Sequence, residues 1–291
     1  MKISSLFEQG RPLYSFEIFP PKRTAPVETI YHTLEQLDGL HPDFISVTFG
    51  AAGIITDKHN PLEIATMIKE RCHTEAMMHL TCINSSRADI DEISADAQQR
   101  GIENILVLRG DRMPDIAPRT DFRYAEDLAA YLSRRGGFCL SGACYPEGHL
   151  DSPDLQSDIG YLRRKVDAGC SHLVSQLFFD NRFFYDFLDR ARGAGIAVPI
   201  SAGIMPVTSK SQIEKMITLC GASLPNKFAK MMQRYEHYPQ ALMDAGVAYA
   251  IDQIIDLVAQ GVDGVHLYTM NNPGLARRIT DSVSSLFKAG K

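Results

Sequence analysis

The chain predicts a closed barrel of eight parallel strands, each followed by helix, that is, an α/β protein of the (β/α)8 TIM-barrel class. Three observations carry this. Short β-rich runs recur at a spacing of about 30 residues, the length of one β/α unit. Helical patterns fill the gaps between them. The length, 291 residues, is that of one barrel, and no linker or low-complexity stretch divides it, so residues 1–291 read as a single domain.

The elements follow in order. The first run, 13–19, contains Ser15-Phe16-Glu17-Ile18-Phe19 and stops at Pro20-Pro21, which cannot continue a sheet. The next runs are 44–49, 77–81, 105–108, 140–145, 173–178, 199–204 and 264–268, all rich in β-branched, aromatic or aliphatic residues. Helical patterns lie between them, for example at 88–99, 124–134, 155–168 and 182–194. The last interval is about twice as long and holds segments 210–220, 224–234 and 239–260. Strict alternation implies parallel strands joined by crossover helices. An open doubly wound sheet is the competing arrangement, but no Gly-x-Gly-x-x-Gly follows the first strand. The nearest string, Gly193-Ala194-Gly195, precedes a strand and reads as a helix C-cap.

Composition narrows the function. The net charge is −5 and the pI about 6.0, with no block of like charges, which argues against nucleic acid or an anionic membrane as partner. No apolar stretch reaches membrane-spanning length. Glu8 and Gly10-Arg11-Pro12 fall where a signal peptide needs an apolar run. The six cysteines form no Cys-x-x-Cys pair, and several sit in apolar runs where a thiol behaves as a small hydrophobe. The expectation is a soluble, reduced, cytoplasmic protein.

In a barrel of this class the chemistry gathers at the C-terminal ends of the strands. Those ends carry Glu17, Thr48, His79 with Thr81, Arg109-Gly110-Asp111, Tyr145, Gln176 and Tyr268. Any one alone reads equally as a cap or a loop residue; nearly every strand delivering a polar side chain to one rim is harder to explain that way. The opposite ends, such as Ala76 and Ile102, look plainer. Glu17 stands out because burying a carboxylate costs several kcal/mol unless it is paired or protonated. Such a site tends to raise a Glu pKa toward neutrality, as a general acid requires. On this segment alone, a strand-end Glu capped by neighbouring amides is the equal alternative.

The rim also excludes chemistry. No lysine sits at a strand end for a Schiff base, no His-x-His opens the first strand for a metal, and there is no nucleophile elbow. Glu17 and Asp111 could form a glycosidase pair, but the chain has no Trp to serve as a sugar platform. No metal is expected. The rim instead suits a large flat organic cofactor addressed by amides and hydroxyls.

Nine motifs in register then carry a resemblance. They are Ser15-Phe16-Glu17-Ile18-Phe19-Pro20-Pro21, Phe44-Ile45-Ser46-Val47-Thr48-Phe49-Gly50, His79-Leu80-Thr81-Cys82, Leu108-Arg109-Gly110-Asp111 and Tyr145-Pro146-Glu147-Gly148-His149. Arg164-Lys165-Val166-Asp167-Ala168-Gly169, Ser175-Gln176-Leu177-Phe178-Phe179-Asp180, Gly203-Ile204-Met205-Pro206-Val207 and His266-Leu267-Tyr268-Thr269-Met270-Asn271 complete the set. The chain resembles the methylenetetrahydrofolate reductases across essentially its whole length, in their short, bacterial form without the adenosylmethionine-binding regulatory domain.

The resemblance implies an eight-fold β/α barrel holding FAD non-covalently. Hydride passes from NADH or NADPH to the flavin and then to methylenetetrahydrofolate, in a ping-pong arrangement, and the protein is expected to be a homo-oligomer. Matched residue by residue, Glu17 takes the general-acid position and Asp111 the position beside flavin and pterin, both in reach of the folate. Gln176 matches a contact to folate and nicotinamide nucleotide. The implied flavin contacts are Thr48, Phe49, His79, Leu80, Arg109, Gly110, Asp111, Tyr124, Ala125, Ala143, Tyr145, His149, Asp158, Arg164 and Lys165. Without the resemblance, Arg163-Arg164-Lys165 reads as a solvated helix face, and Asp158 as a complement to a helix N-terminus. Two substrate positions depart from the pattern: Met216 replaces a Phe, and Asn272 an Arg that meets the folate's glutamate tail. The alternatives are another FAD barrel oxidoreductase of the proline dehydrogenase type, or a pterin-binding methyltransferase-like barrel.

Overall fold

Eight parallel strands close on themselves in chain order, β1 (Leu13–Ile18) pairing with β8 (Gly264–Tyr268) to complete the barrel. The computed structural model describes residues 1–21, 28–49, 60–112 and 119–289. Gly50, named in the second motif, lies outside them. The remaining strands are β2 (Phe44–Val47), β3 (Glu75–Thr81), β4 (Asn104–Leu108), β5 (Cys139–Cys144), β6 (Cys170–Ser175) and β7 (Ile200–Ile204). A short helix, α1 (Ile3–Leu6), precedes β1. The crossover helices are α2 (Glu28–Asp38), α3 (Asn60–Arg71), α4 (Arg87–Gln99), α5 (Ala125–Arg135), α6 (Leu155–Asp167) and α7 (Asn181–Gly193). The long interval before β8 holds α8 (Lys210–Cys220), α9 (Asn226–Tyr235) and α10 (Pro239–Ala259), and α11 (Pro273–Lys288) follows β8.

The expected strands all form, with ends displaced by a few residues. The largest displacement is in β6, which ends at Ser175 and leaves 176–178 in the connection to α7. Helix starts follow their caps: Ser86 and Asp89 form a reciprocal capping box on α4, and Asp154 and Asp180 cap α6 and α7. Gly195, just past α7, has φ +77°, as a C-terminal stop requires.

Strand periodicity of two sorts the side chains into two cores. Phe16, Ile18, Ile45, Val47, Met78, Leu80, Ile105 and Val107 face outward and pack against the helices. Leu13, Phe44, Met77, Leu106 and Val174 face inward, where Ile3 and Leu6 of α1 plug the barrel from below. A satellite core under α8–α10 contains Leu177, Phe179, Met205, Ile213, Phe228 and Leu242.

The expectation that the N-terminal strand ends are plain needs correction. The Ile3 N–H donates to Asn104 Oδ1 at 2.8 Å, and Asn104 Nδ2 donates to the carbonyls of Met1 and Ala76. The Met1 ammonium reaches Glu75 at 2.7 Å and Glu103 at 2.5 Å. Polar groups at this end anchor the plug.

Candidate active site

The inward positions of the upper strands build the mouth of the barrel. On β1 the alternation that sends Phe16 and Ile18 outward sends Ser15 and Glu17 inward, and Glu17 is 8% exposed. The strand end is bolted in place. The Glu17 carbonyl accepts from Thr269 N–H at 3.2 Å and Thr269 Oγ1 at 2.7 Å. Asn271, at φ +52°, exchanges two hydrogen bonds with the Phe19 backbone, at 2.9 and 2.8 Å. Asn tolerates this left-handed conformation better than most residues.

Two imidazoles flank the Glu17 carboxylate. Oε2 lies 3.6 Å from His79 Nε2 and 3.6 Å from His266 Nε2. His266 is fully buried and fixed from both sides: Nδ1 shares a hydrogen bond with Ser15 Oγ (2.7 Å) and Nε2 with Ser46 Oγ (3.0 Å). A second clamp of the same kind lies across the barrel, where His172 bonds Ser141 Oγ and Ser201 Oγ, both at 3.0 Å. Burial pushes the His79 pKa down to about 4, against the opposing pull of Glu17, and pushes His172 down to about 3. Both rings are therefore neutral near pH 7. Tyr268 donates to the Ser175 carbonyl at 2.7 Å, and burial raises its pKa so that it stays a phenol. That approach needs glycine at 203, where a Cβ would lie 2.2 Å from the Ser175 carbonyl oxygen and 2.6 Å from the Tyr268 hydroxyl.

A cavity of about 560 Å³ opens beside the mouth, between α5 and α6. Its walls carry Arg109, Tyr124, Ala125, Ala143, Tyr145, His149, Asp158, Arg164 and Lys165, nine of the residues expected to meet the cofactor. Arg109 pairs with Asp151 at 2.8 Å, Arg164 with Glu126 at 2.9 Å, and Asp158 accepts from Ser152 Oγ at 2.6 Å. His149 packs edge-on against Tyr145, with ring centroids 4.7 Å apart. Lys165 corrects the solvated-face expectation: its half-buried ammonium donates to the Ala143 carbonyl and lies 6.0 Å from the Tyr145 ring centre. Burial lowers its pKa, and among the described residues no carboxylate lies within ion-pair distance of it. A cation so placed suits an anionic ligand.

The other expected residues divide. Thr48 Oγ1 and His79 Nε2 are buried without a hydrogen-bond partner among the described residues, as is Asn84 Oδ1. Unpaired buried polar atoms at a barrel mouth fit a heteroatom-bearing ring. Gly110, at φ +86°, turns the chain past Thr81, and Phe49 is half-buried at its strand end. The exposed Asp111 carboxylate is still felt in the mouth, helping to raise the pKa values of Cys220 and Tyr145, for which burial is the larger cause. Leu80 is fully buried against the helices, so its side chain is off the rim. Gln176 Oε1 accepts from its neighbour Leu177 N–H at 2.9 Å, and Met216 packs on the satellite core. Asn272 Oδ1 caps α11 by accepting from Leu275 N–H at 3.0 Å, so this side chain has a local task. Sequence reasoning missed His266, Asn84, Asp151 and Tyr161. Of these only His266 left a signal, its inward parity on a recognisable strand.

Comparisons with known proteins agree with this geometry. The family model described as methylenetetrahydrofolate reductase matches residues 2–284. The 5,10-methylenetetrahydrofolate reductase of Pectobacterium carotovorum subsp. carotovorum is 37% identical over 93% of this chain and 90% of its own, and that of Escherichia coli (strain K12) is 34% identical over the same shares. Methylenetetrahydrofolate reductase (NADH) 1 of Arabidopsis thaliana is 34% identical over 93% of this chain but only 48% of its own. Among solved structures, an uncharacterized protein from Clostridium thermocellum that binds two copies of 5-methyl-5,6,7,8-tetrahydrofolic acid has a TM-score of 0.70 at 13% identity, covering 98% of this chain and 99% of that one, a likeness of fold. A match that runs almost from end to end, with a barrel mouth built from the same motifs, has one reading: the chain belongs to the methylenetetrahydrofolate reductase family.

Proposed function

We propose that this chain reduces methylenetetrahydrofolate to methyltetrahydrofolate with electrons from NADH or NADPH, through one non-covalently held FAD and with Glu17 as general acid. The observation that carries the reading is the Glu17 carboxylate, almost buried at the barrel mouth with an imidazole 3.6 Å away on either side. Burial keeps the His79 ring neutral, so that it can orient the carboxyl without supplying a charge. Glu17 would hand a proton to a ring nitrogen of the folate, opening its five-membered ring to an iminium. Asp111 places a negative charge at the same mouth, which favours that cation.

Thr48, His79, Arg109, Tyr145, Asp158, Arg164 and Lys165 are the residues that would hold FAD. The unpaired Thr48 and His79 atoms suit its ring, and the Lys165 ammonium its diphosphate. When bound, FAD supplies a two-electron carrier between nucleotide and folate. Gln176, on the connection after β6, would contact each substrate in turn. The plant relatives are named for NADH, which makes NADH the first donor to try. A homo-oligomeric, cytoplasmic enzyme is part of the proposal; among the described residues no helix is long and apolar enough to cross a membrane.

The test is spectroscopic. The purified protein should be yellow, release about one FAD per chain on denaturation, and lose its blue absorbance on adding NADH or NADPH anaerobically, regaining it with methylenetetrahydrofolate. A colourless protein that gains no absorbance with FAD, or a reduced flavin that the folate fails to reoxidise, sinks the reading.

A further inference from the structure

The ladder between β1 and β8 ends irregularly beside Glu17. Thr269 N–H donates to the Glu17 carbonyl at 3.2 Å, and the next bond of a parallel ladder would run from Phe19 N–H to the Thr269 carbonyl. That carbonyl instead accepts from Asn272 N–H at 2.9 Å, in the turn that leads into α11. The Asn271 side chain takes the vacated place. Its Oδ1 accepts from Phe19 N–H at 2.9 Å and its Nδ2 donates to the Phe19 carbonyl at 2.8 Å, so one carboxamide stands in for a peptide unit of β8. On the other flank Thr48 N–H donates to the Ile18 carbonyl at 3.1 Å. The end of β1 is thus held from both neighbouring strands, and Pro20 and Pro21 have no N–H with which to continue either ladder.

The turn that delivers this carboxamide is strained. Met270 and Asn271 lie at φ +54° and +52°, two consecutive left-handed residues of which neither is glycine. Strain of this kind persists only where the surroundings over-determine it, and it gathers at functional sites. Glycine would fit the backbone with less strain but has no side chain to reach Phe19. Aspartate would keep the shape but offers the Phe19 carbonyl no donor. We propose that Asn271 is a positioning residue for folate reduction: its carboxamide holds the end of β1 so that the Glu17 carboxyl meets the substrate, an inference that rests on the function proposed above.

Two variants separate the carboxamide from the turn. Asn271→Gly removes the carboxamide and relaxes the backbone; Asn271→Asp keeps the shape and loses the donor. Each should retain FAD and be reduced by the nicotinamide nucleotide at the wild-type rate. The limiting rate of flavin reoxidation by methylenetetrahydrofolate should fall about tenfold, the scale of a misplaced acid. The folate concentration at half-saturation should stay within about threefold of wild type. In a Glu17→Gln background, Asn271→Gly should slow reoxidation by less than about twofold more, because the group it positions is gone. Wild-type reoxidation by Asn271→Gly, equal slowing of reduction and reoxidation, or an undiminished further loss in the Glu17→Gln background each overturns the assignment. Hydrogen exchange followed by NMR on the wild-type protein tests the bond without a variant. The Phe19 amide should be protected, and exchange at the open-chain rate overturns the assignment even where both variants fail to fold. Failure of methylenetetrahydrofolate to reoxidise the wild-type flavin overturns the proposed function and the positioning role with it, a result told apart because the Phe19 protection would stand.

Discussion

His172 and His266 are the same device used twice. Each is a fully buried imidazole in the barrel, with both ring nitrogens bonded to serine hydroxyls of other strands. Both rings have aromatic neighbours, Phe7 at 4.9 Å and Phe44 at 6.0 Å for His172, Phe44 at 5.6 Å and Tyr268 at 5.8 Å for His266. Around His266 the Nε2 atom also faces the Glu17 carboxylate. The first clamp has no carboxylate against it among the described residues; the second faces one, Glu17. The difference teaches that hydrogen-bond satisfaction alone does not mark a site. What marks it is a titratable partner one layer nearer the mouth, flanked on the other side by His79 Nε2, which has no hydrogen bond among the described residues.

The largest expected effect removes what distinguishes the two clamps. Glu17→Gln keeps the volume and the two imidazole neighbours but cannot cycle a proton. It should keep FAD and be reduced by the nicotinamide nucleotide at the wild-type rate, while folate reduction falls by about 10²-fold or more. Stopped-flow absorbance of the two half-reactions separates these; equal slowing of both would make Glu17 a structural residue and leave the clamps alike.

Acid should next stress the His172 clamp. The folded His172 pKa, about 3, and that of His79, about 4, lie below the ordinary 6.5, so between these values the unfolded chain binds more protons than the folded one. Their contribution is complete above pH 6.5 and is lost as the pH falls through that window, amounting to a few kcal/mol by the bottom of it. Chemical denaturation at stepped pH should show stability falling below pH 6.5. His172→Asn should flatten the lower part of that curve, and an unchanged slope would mean that the ring is not buried as described.

The smallest effect sharpens the contrast most finely. Ser46→Ala and Ser201→Ala each strip one hydroxyl from a clamp and should each cost about 1–3 kcal/mol of stability, the penalty for an unpaired buried polar atom. Only Ser46→Ala frees the His266 nitrogen that faces Glu17. Its folate half-reaction should therefore show a displaced pH profile, while Ser201→Ala keeps the wild-type profile. Matching profiles would show that the His266 clamp carries no proton-related task.

Much of this was legible in the chain. The β/α alternation gave the barrel, and because its chemistry gathers at the C-terminal strand ends, Glu17, Thr48, His79 and Tyr268 follow as mouth residues. Lys165 was legible as a cavity residue only through the resemblance, because three consecutive basic residues on a helix otherwise read as solvated whichever one turns inward. Leu80 is a cofactor contact only through the resemblance, and its strand parity sends its side chain to the outer core. The local task of Asn272, whose oxygen caps α11, does not follow from its place in the resemblance.

The sequence by itself determined the fold class, the strand order and the set of side chains at the barrel mouth, since these follow from local periodicity and right-handed crossovers, which need no knowledge of distant contacts. Only the tertiary structure decided which of those side chains meet. Ser15 and His266 are 251 positions apart and Glu126 and Arg164 38 apart, yet each pair is in contact. Such meetings depend on barrel closure between β1 and β8 and on the packing of α5 against α6, and both are set by the summed burial of residues spread along the whole chain.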